Sequence, residues 1–217
     1  VVEMPYVKGQ SISILFLDQV MIPLRIKKMN LDVVFSPAFT IPLFASLPQV
    51  VTVHDLAYKV YPDASPFKRK MFMNIFFDSS IRRANHVIAV SKATREDMAR
   101  FFPGQKAVTI INEGVGEIMV DIGIRPDAIP EDTPFVLVVG TVTPRKNARR
   151  IIEGFSKVID KTDLLLVFAG GFDWRHEELI VYVKMKRLDN RVIFTGYIDD
   201  KSLAWCYLNA RMLMYCS

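Results

Sequence analysis

Short apolar runs rich in Val, Ile and Phe recur at 32–36, 49–54, 86–90 and 107–111, and a longer stretch with helical spacing, 66–84, lies between the second and third. Runs of this length with β-branched residues predict buried strands. From Ser91 the segment SKATREDMARFF has a Ser N-cap, acids in its early turns and a stop at Pro103–Gly104, which predicts a helix joining the third and fourth strands. Strands joined through helices pair in parallel.

The stretch 112–134, NEGVGEIMVDIGIRPDAIPEDTP, breaks the rhythm with three Gly, three Pro and no sustained apolar period. It reads as a linker and divides the chain into domains 1–128 and 129–217. The rhythm then resumes with strands at 135–139, 164–169, 191–195 and 212–215 and helices at 147–160, 174–187 and 200–209. The fold class predicted is α/β: two Rossmann-like, doubly wound parallel-sheet domains, with ligands held beyond the carboxyl ends of the strands.

Composition narrows the function. The 217 residues are 51% hydrophobic and 24% charged, ordinary for a globular chain. Its net charge of +5 comes from basic residues scattered through both halves, which argues against nucleic acid as a partner. With no apolar run of 18 residues and no leader ending in a cleavage site, a cytoplasmic location is expected. Cys206 and Cys216 have no metal or redox spacing and are expected to be reduced, buried thiols. The start at Val1 without a methionine and the stop at Ser217, just after an apolar run, suggest a fragment with both domains incomplete.

Candidate chemistry gathers at strand ends. After 135–139 come Gly140, Thr141, Val142, Thr143, Pro144, Arg145, Lys146 and Asn147, then an amphipathic helix carrying Ile151, Ile152, Phe155, Val158 and Ile159. A glycine that lets a phosphate approach, a helix N-terminus and two cations all favour an anion, while a solvated turn explains the same residues without one. His54, with Asp55, closes the strand QVVTVH, where an imidazole can bond a sugar hydroxyl or a phosphate oxygen; a structural histidine is the plainer alternative. Gly170, Gly171 and Gly196 also follow strands. Together they would leave open backbone for one ligand, with Tyr197 and Ile198 offering main-chain groups to a flat base. The stretch 66–84 has Lys68, Arg69 and Lys70 at one end and Arg82 and Arg83 at the other. Met71 and Ile75 are expected on its buried stripe, and contact with an anionic membrane is a secondary expectation.

Seven pieces stand in register along nearly the whole chain: LDVVFSP, VVTVHDL with Pro62, ANHVIAVSKATREDM, INEGV, FVLVVGTVTPRKN, LVFAGG and VIFTGYIDDKSL. In these the chain resembles the family-4 retaining glycosyltransferases, also called group 1 glycosyl transferases. The resemblance implies a GT-B fold, with 1–128 on the acceptor side and 129–217 binding a nucleotide-sugar, and chemistry that needs no metal or other cofactor. It implies that Lys146, with Arg145, neutralises the departing diphosphate, with Gly140, Thr141 and Asn147 at the same site. His54 would contact the transferred sugar, and Gly170, Gly171, Gly196, Tyr197 and Ile198 would receive the nucleoside. Many members have arginine where this chain has Thr141; here the turn resembles the TxxPRKN subgroup. The family's glycine-rich loop would precede Val1 and its paired glutamates would follow Ser217.

The expected activity is retaining transfer of a hexose, of mannose or glucose type, from an NDP-sugar to a glycan, lipid-linked or small-molecule acceptor in polysaccharide biosynthesis. The expected site is cytoplasmic, with peripheral contact at the inner face of the plasma membrane. No carboxylate is evident near His54 as a nucleophile, which favours same-face departure and attack over a covalent intermediate. The alternatives are a sugar-nucleotide epimerase of the same fold and a truncated, non-catalytic nucleotide-binding module.

Overall fold

The computed structural model describes residues 17–62, 67–105, 107–114, 123–172 and 176–216. The chain divides into two compact units, Val1–Val115 and Gly116–Ser217.

In the first unit a helical turn, Leu17–Met21, runs into α1 (Ile22–Ile26). Four strands follow: β1 (Val34–Ser36), β2 (Gln49–Val53), β3 (His86–Ala89) and β4 (Val108–Ile110). They pair in parallel in that order, with Val51 opposite Val87 and Ile88 opposite Thr109. The crossovers carry α2 (Ala57–Val60), α3 (Phe67–Arg83) and α4 (Lys92–Phe101). Ser91 caps α4, its hydroxyl accepting from the Thr94 amide at 3.1 Å, as the sequence predicts. Between β1 and β2, buried Gln19 donates to the Ile41 carbonyl and accepts from the Leu43 amide, each at 2.9 Å, so these two backbone groups of the loop are satisfied without a sheet partner.

Helix α3 departs from its expected stripe. Its core face carries Met73, Phe77 and Ile81, which pack with Val51, Val53 and Phe102. Met71 and Ile75, expected inside, are about half exposed and stand in line with exposed Phe67. Residues 67, 71 and 75 are one helical row, and the inward row at 73, 77 and 81 has the same spacing, so periodicity alone could not choose between them.

In the second unit β5 (Phe135–Val139), β6 (Leu165–Ala169), β7 (Val192–Gly196) and β8 (Met212–Leu213) are all parallel, in the order β7-β6-β5-β8. Helices α5 (Ala148–Ser156), α6 (His176–Met185) and α7 (Asp200–Asn209) connect them. Alternation along β5 sends Val136 and Val138 into a cluster with Ile151, Ile152 and Phe155 of α5, while Phe135 and Leu137 pack with Cys206 of α7 and Ile129. A strand covered on both faces must be apolar throughout, which is why FVLVV shows no polar alternation.

The expected helix 174–187 ends at Met185, where Arg187 adopts a left-handed φ of 55° and the turn closes. The part of the expected linker after residue 122 is tied into the second unit: Ile129 is fully buried and its carbonyl accepts from Arg125. Of the two cysteines, Cys206 is buried as expected, but Cys216 is exposed, since it lies beyond the short pairing of β8.

Candidate nucleotide-sugar site

In the second sheet β6 and β7 lie to one side of β5 and β8 to the other. The strand order therefore reverses between β5 and β8, the switch point where open α/β sheets take ligands at their carboxyl edge. The turn leaving β5 begins at Gly140, whose φ of 121° suits glycine. Its amide donates to the Ala169 carbonyl at 2.9 Å, so the ends of β5 and β6 are laced together. Gly170 is required by space: a Cβ there would lie 2.3 Å from the Gly140 carbonyl oxygen. Gly171 has no such neighbour and is needed for neither reason.

A short 3-10 turn, Pro144–Lys146, then leads into α5 through Asn147, which takes the left-handed φ of 60° at the N-cap and makes no side-chain cap bond. The turn brings Lys146 back over its start. Its Cε lies 3.7 Å from the position a Cβ on Gly140 would take, and its ammonium donates to the Tyr215 hydroxyl and sits 4.2 Å from the centre of that ring. Tyr215 comes from the exit of β8, so Lys146 and Tyr215 straddle the switch point. Thr141 and Arg145 are exposed, and the Thr143 hydroxyl is buried without a hydrogen-bond partner.

At the end of β7, the Gly196 carbonyl accepts from the Gly170 amide at 3.0 Å, which continues the same edge. Tyr197 is 85% exposed there. Ile198 packs instead against the core cluster of Phe135, Leu137 and Ile129, so its side chain is structural and only its main chain is offered at the edge. The structure thus gathers Gly140, Gly170, Gly171 and Gly196 at one edge, with Lys146 folded over it.

In the first unit His54 immediately follows β2, and the exits of all four strands converge around it. Its ring lies 5.4 Å from that of Phe39, and its carbonyl accepts from the Thr94 hydroxyl at 3.1 Å. Its Nε2 donates to the Pro37 carbonyl just past β1 at 2.8 Å, and its Nδ1 meets Glu113 Oε1 just past β4 at 2.5 Å. Asn112 ties that last exit to β3 by donating to the Val90 carbonyl. The Pro37 carbonyl is the largest influence raising the imidazole above its usual value; partial burial opposes it, and the Glu113 carboxylate and Asp55 add to it.

The sequence shows no carboxylate near His54 as a nucleophile; the fold brings one, Glu113, into hydrogen-bond contact with the ring. Glu113 lies 59 residues away and only the β2–β3–β4 pairing brings it there. Its motif INEGV was visible, but nothing in the spacing tied it to the histidine. Tyr215 was likewise visible only as the end of an apolar run. Among the described residues no cluster of three or more His, Cys, Asp or Glu side chains is arranged for a metal ion, and no helix is long and apolar enough to cross a membrane.

Two parallel sheets, the first with polar residues and the second with glycines and a lysine at the carboxyl edge, define a pair of Rossmann-like units. Residues 1–116 match Glycosyltransferase Family 4 and residues 122–217 match Glycosyl transferases group 1, and the chain belongs to this family. It is 24% identical over 181 residues to O-antigen chain mannosyltransferase B of Escherichia coli, covering 76% of this chain and 46% of that protein. It is 27% identical over 194 residues to O-antigen chain mannosyltransferase RfbU of Salmonella typhimurium, covering 88% and 51%. The chain spans about half the length of these curated relatives. Among solved structures it resembles Anabaena Alr3699/HepE in complex with UDP-glucose, with a TM-score of 0.64 and 16% identity over 86% of this chain and 53% of that one. This likeness establishes the GT-B fold.

Proposed function

We propose that the chain is part of a retaining hexosyltransferase that uses an NDP-sugar, with the diphosphate held at the β5–β8 switch point. The observation that carries this reading is Lys146 folded back over Gly140, with its ammonium against the hydroxyl and ring of Tyr215 and, among the described residues, no ion pair to a carboxylate. A preorganised cation beside open strand ends favours a departing diphosphate without further rearrangement. Thr141, Arg145 and Asn147 complete the anion site, and Gly170, Gly171, Gly196, Tyr197 and the main chain of Ile198 receive the nucleoside. His54 contacts the sugar.

The mannosyltransferase relatives support mannose, and the UDP-glucose complex of the structural neighbour supports a uridine donor; GDP-mannose and UDP-glucose are therefore the donors to try first. The acceptor is a glycan or a lipid-linked saccharide in polysaccharide biosynthesis. A peripheral membrane contact is supported by exposed Phe67, Met71 and Ile75 beside exposed Lys68 and Arg69.

The test is calorimetry of UDP and GDP binding to the full-length protein. Lys146→Ala should weaken the preferred nucleotide at least about tenfold, roughly 1.4 kcal/mol, the loss of one charge-assisted contact. Unchanged affinity removes Lys146 from the site. Product analysis separates the alternatives: an epimerase converts the donor without an acceptor, and a binding module holds nucleotide without turnover.

A further inference from the structure

The polar residues at the edge of the first sheet have a feature that the second site lacks. His54 has an acceptor on each ring nitrogen: a main-chain carbonyl, Pro37, on Nε2 and a carboxylate, Glu113, on Nδ1. A carbonyl can only accept, so Nε2 carries a proton. A neutral imidazole would then turn the lone pair of Nδ1 toward the carboxylate; the doubly protonated ring removes that conflict and donates on both sides. Both acceptors are anchored by the fold. Pro37 leaves β1, and Glu113 follows Asn112, which is tied to the exit of β3.

We infer that Glu113 is the positioning residue of the His54 site, holding the ring in one plane with a proton on each nitrogen and leaving its own second oxygen to accept from a substrate hydroxyl. The inference rests on the proposed placement of the sugar at His54 and names the group that prepares it.

Charge determines the ligand chemistry. The protonated ring and the carboxylate together are neutral, so the pair attracts phosphate poorly and suits a hydroxyl-rich group, which can donate to a carboxylate. The Glu113 side chain is 61% exposed and that of His54 is 36% exposed, so a ligand can reach both. Asp55, on the same turn as His54, is the other charge that raises the ring; Phe39 and Thr94, from the neighbouring segments, bring contacts without charge. The sign follows directly. A histidine raised above its unfolded value of 6.5 stabilises the fold fully below that value, and the contribution is lost as pH rises through the folded value.

The decisive experiment is a pH titration of the His54 ring by nitrogen-correlated NMR in the full-length protein, wild type against Glu113→Gln and Glu113→Asp. Glu113→Gln keeps the shape and an acceptor but removes the charge. The expected result is a His54 midpoint lowered in Glu113→Gln and at least partly restored in Glu113→Asp. In transfer assays the alkaline limb of kcat should move to lower pH in Glu113→Gln, with kcat reduced on the order of tenfold, the worth of one charge-assisted hydrogen bond, and nucleotide KM little changed. An unchanged His54 midpoint in Glu113→Gln overturns the inference, and so does a shifted midpoint with an unmoved pH profile. Failure of the wild type to turn over any donor refutes the transferase reading instead, and the NMR midpoint then decides the role of Glu113 by itself. Because Glu113 is largely exposed, neither variant disturbs the core.

Discussion

Replacing Gly170 with alanine should damage the second unit, while the same change one residue later should not. A Cβ at Gly170 would stand 2.3 Å from the Gly140 carbonyl oxygen, 2.5 Å from the carbonyl carbon and 3.1 Å from the Thr141 nitrogen. All three are backbone atoms of the proposed diphosphate turn, so none can swing aside as a side-chain tip could. Relief requires the ends of β5 and β6 to part, which strains the bonds from Gly140 to Ala169 and from Val142 to Gly171, both 2.9 Å. Overpacking of this kind costs about 1–3 kcal/mol, and forcing alanine to the Gly170 φ of 155° adds about 1–3 kcal/mol. At Gly171 a Cβ meets nothing within 4 Å, and the cost should stay below about 0.5 kcal/mol. Trp205 stacks on Phe135 in the second unit, its ring centre 5.9 Å away, so its fluorescence during urea unfolding follows that unit. Nucleotide affinity measured on the same samples should fall with stability in Gly170→Ala and hold in Gly171→Ala. If Gly170→Ala unfolds within about 0.5 kcal/mol of wild type and binds nucleotide normally, the close approach of the two strand ends is not a constraint on the site and the reasoning fails.

Two further outcomes follow from the same geometry. Burial removes Cys206 from solvent and pushes its thiol up to about 11, whereas Cys216 is exposed, so a thiol reagent at pH 8 should label Cys216 but not Cys206 in the native protein and both in denaturant, as read by peptide mapping. A triple change of Phe67, Met71 and Ile75 to serine should reduce co-sedimentation with phosphatidylglycerol vesicles and leave thermal stability nearly unchanged; equal sedimentation would refute the membrane contact, and a large loss of stability would show that the row is packed after all.

How much of this was legible in the sequence depended on how local each signal is. Strands β5 and β6 were readable because FVLVV and LLVFA are covered on both faces and so are apolar at every position. The switch-point turn was readable because its glycine, cations and helix are consecutive. The row of α3 that faces the core was not, since two apolar rows share one helix and only its docking on Val51, Val53 and Phe102 selects between them. Glu113 was hidden for a stronger reason. Its pairing with His54 is created by the lateral order β2-β3-β4, and no spacing along the chain encodes that order.

The contrast between the two polar edges bears on how the proposed chemistry is divided. Lys146 is held by a tyrosine hydroxyl and ring, partners that orient an ammonium without cancelling its charge, and the site stays attractive to an anion. His54 is held by a carboxylate, which orients the ring and neutralises it. On the proposed reading a diphosphate gains more at the second unit, and a sugar, with hydroxyls to share between donor and acceptor, gains more at the first. Exchanging the logic should exchange the preference. Tyr215→Glu would place a carboxylate against Lys146 and should weaken nucleotide binding about tenfold or more, whereas Tyr215→Phe keeps the ring, loses one hydrogen bond of about 1 kcal/mol and should weaken it only severalfold. Equal affinity in the two variants would mean that the charge of Lys146 is not what the nucleotide reads.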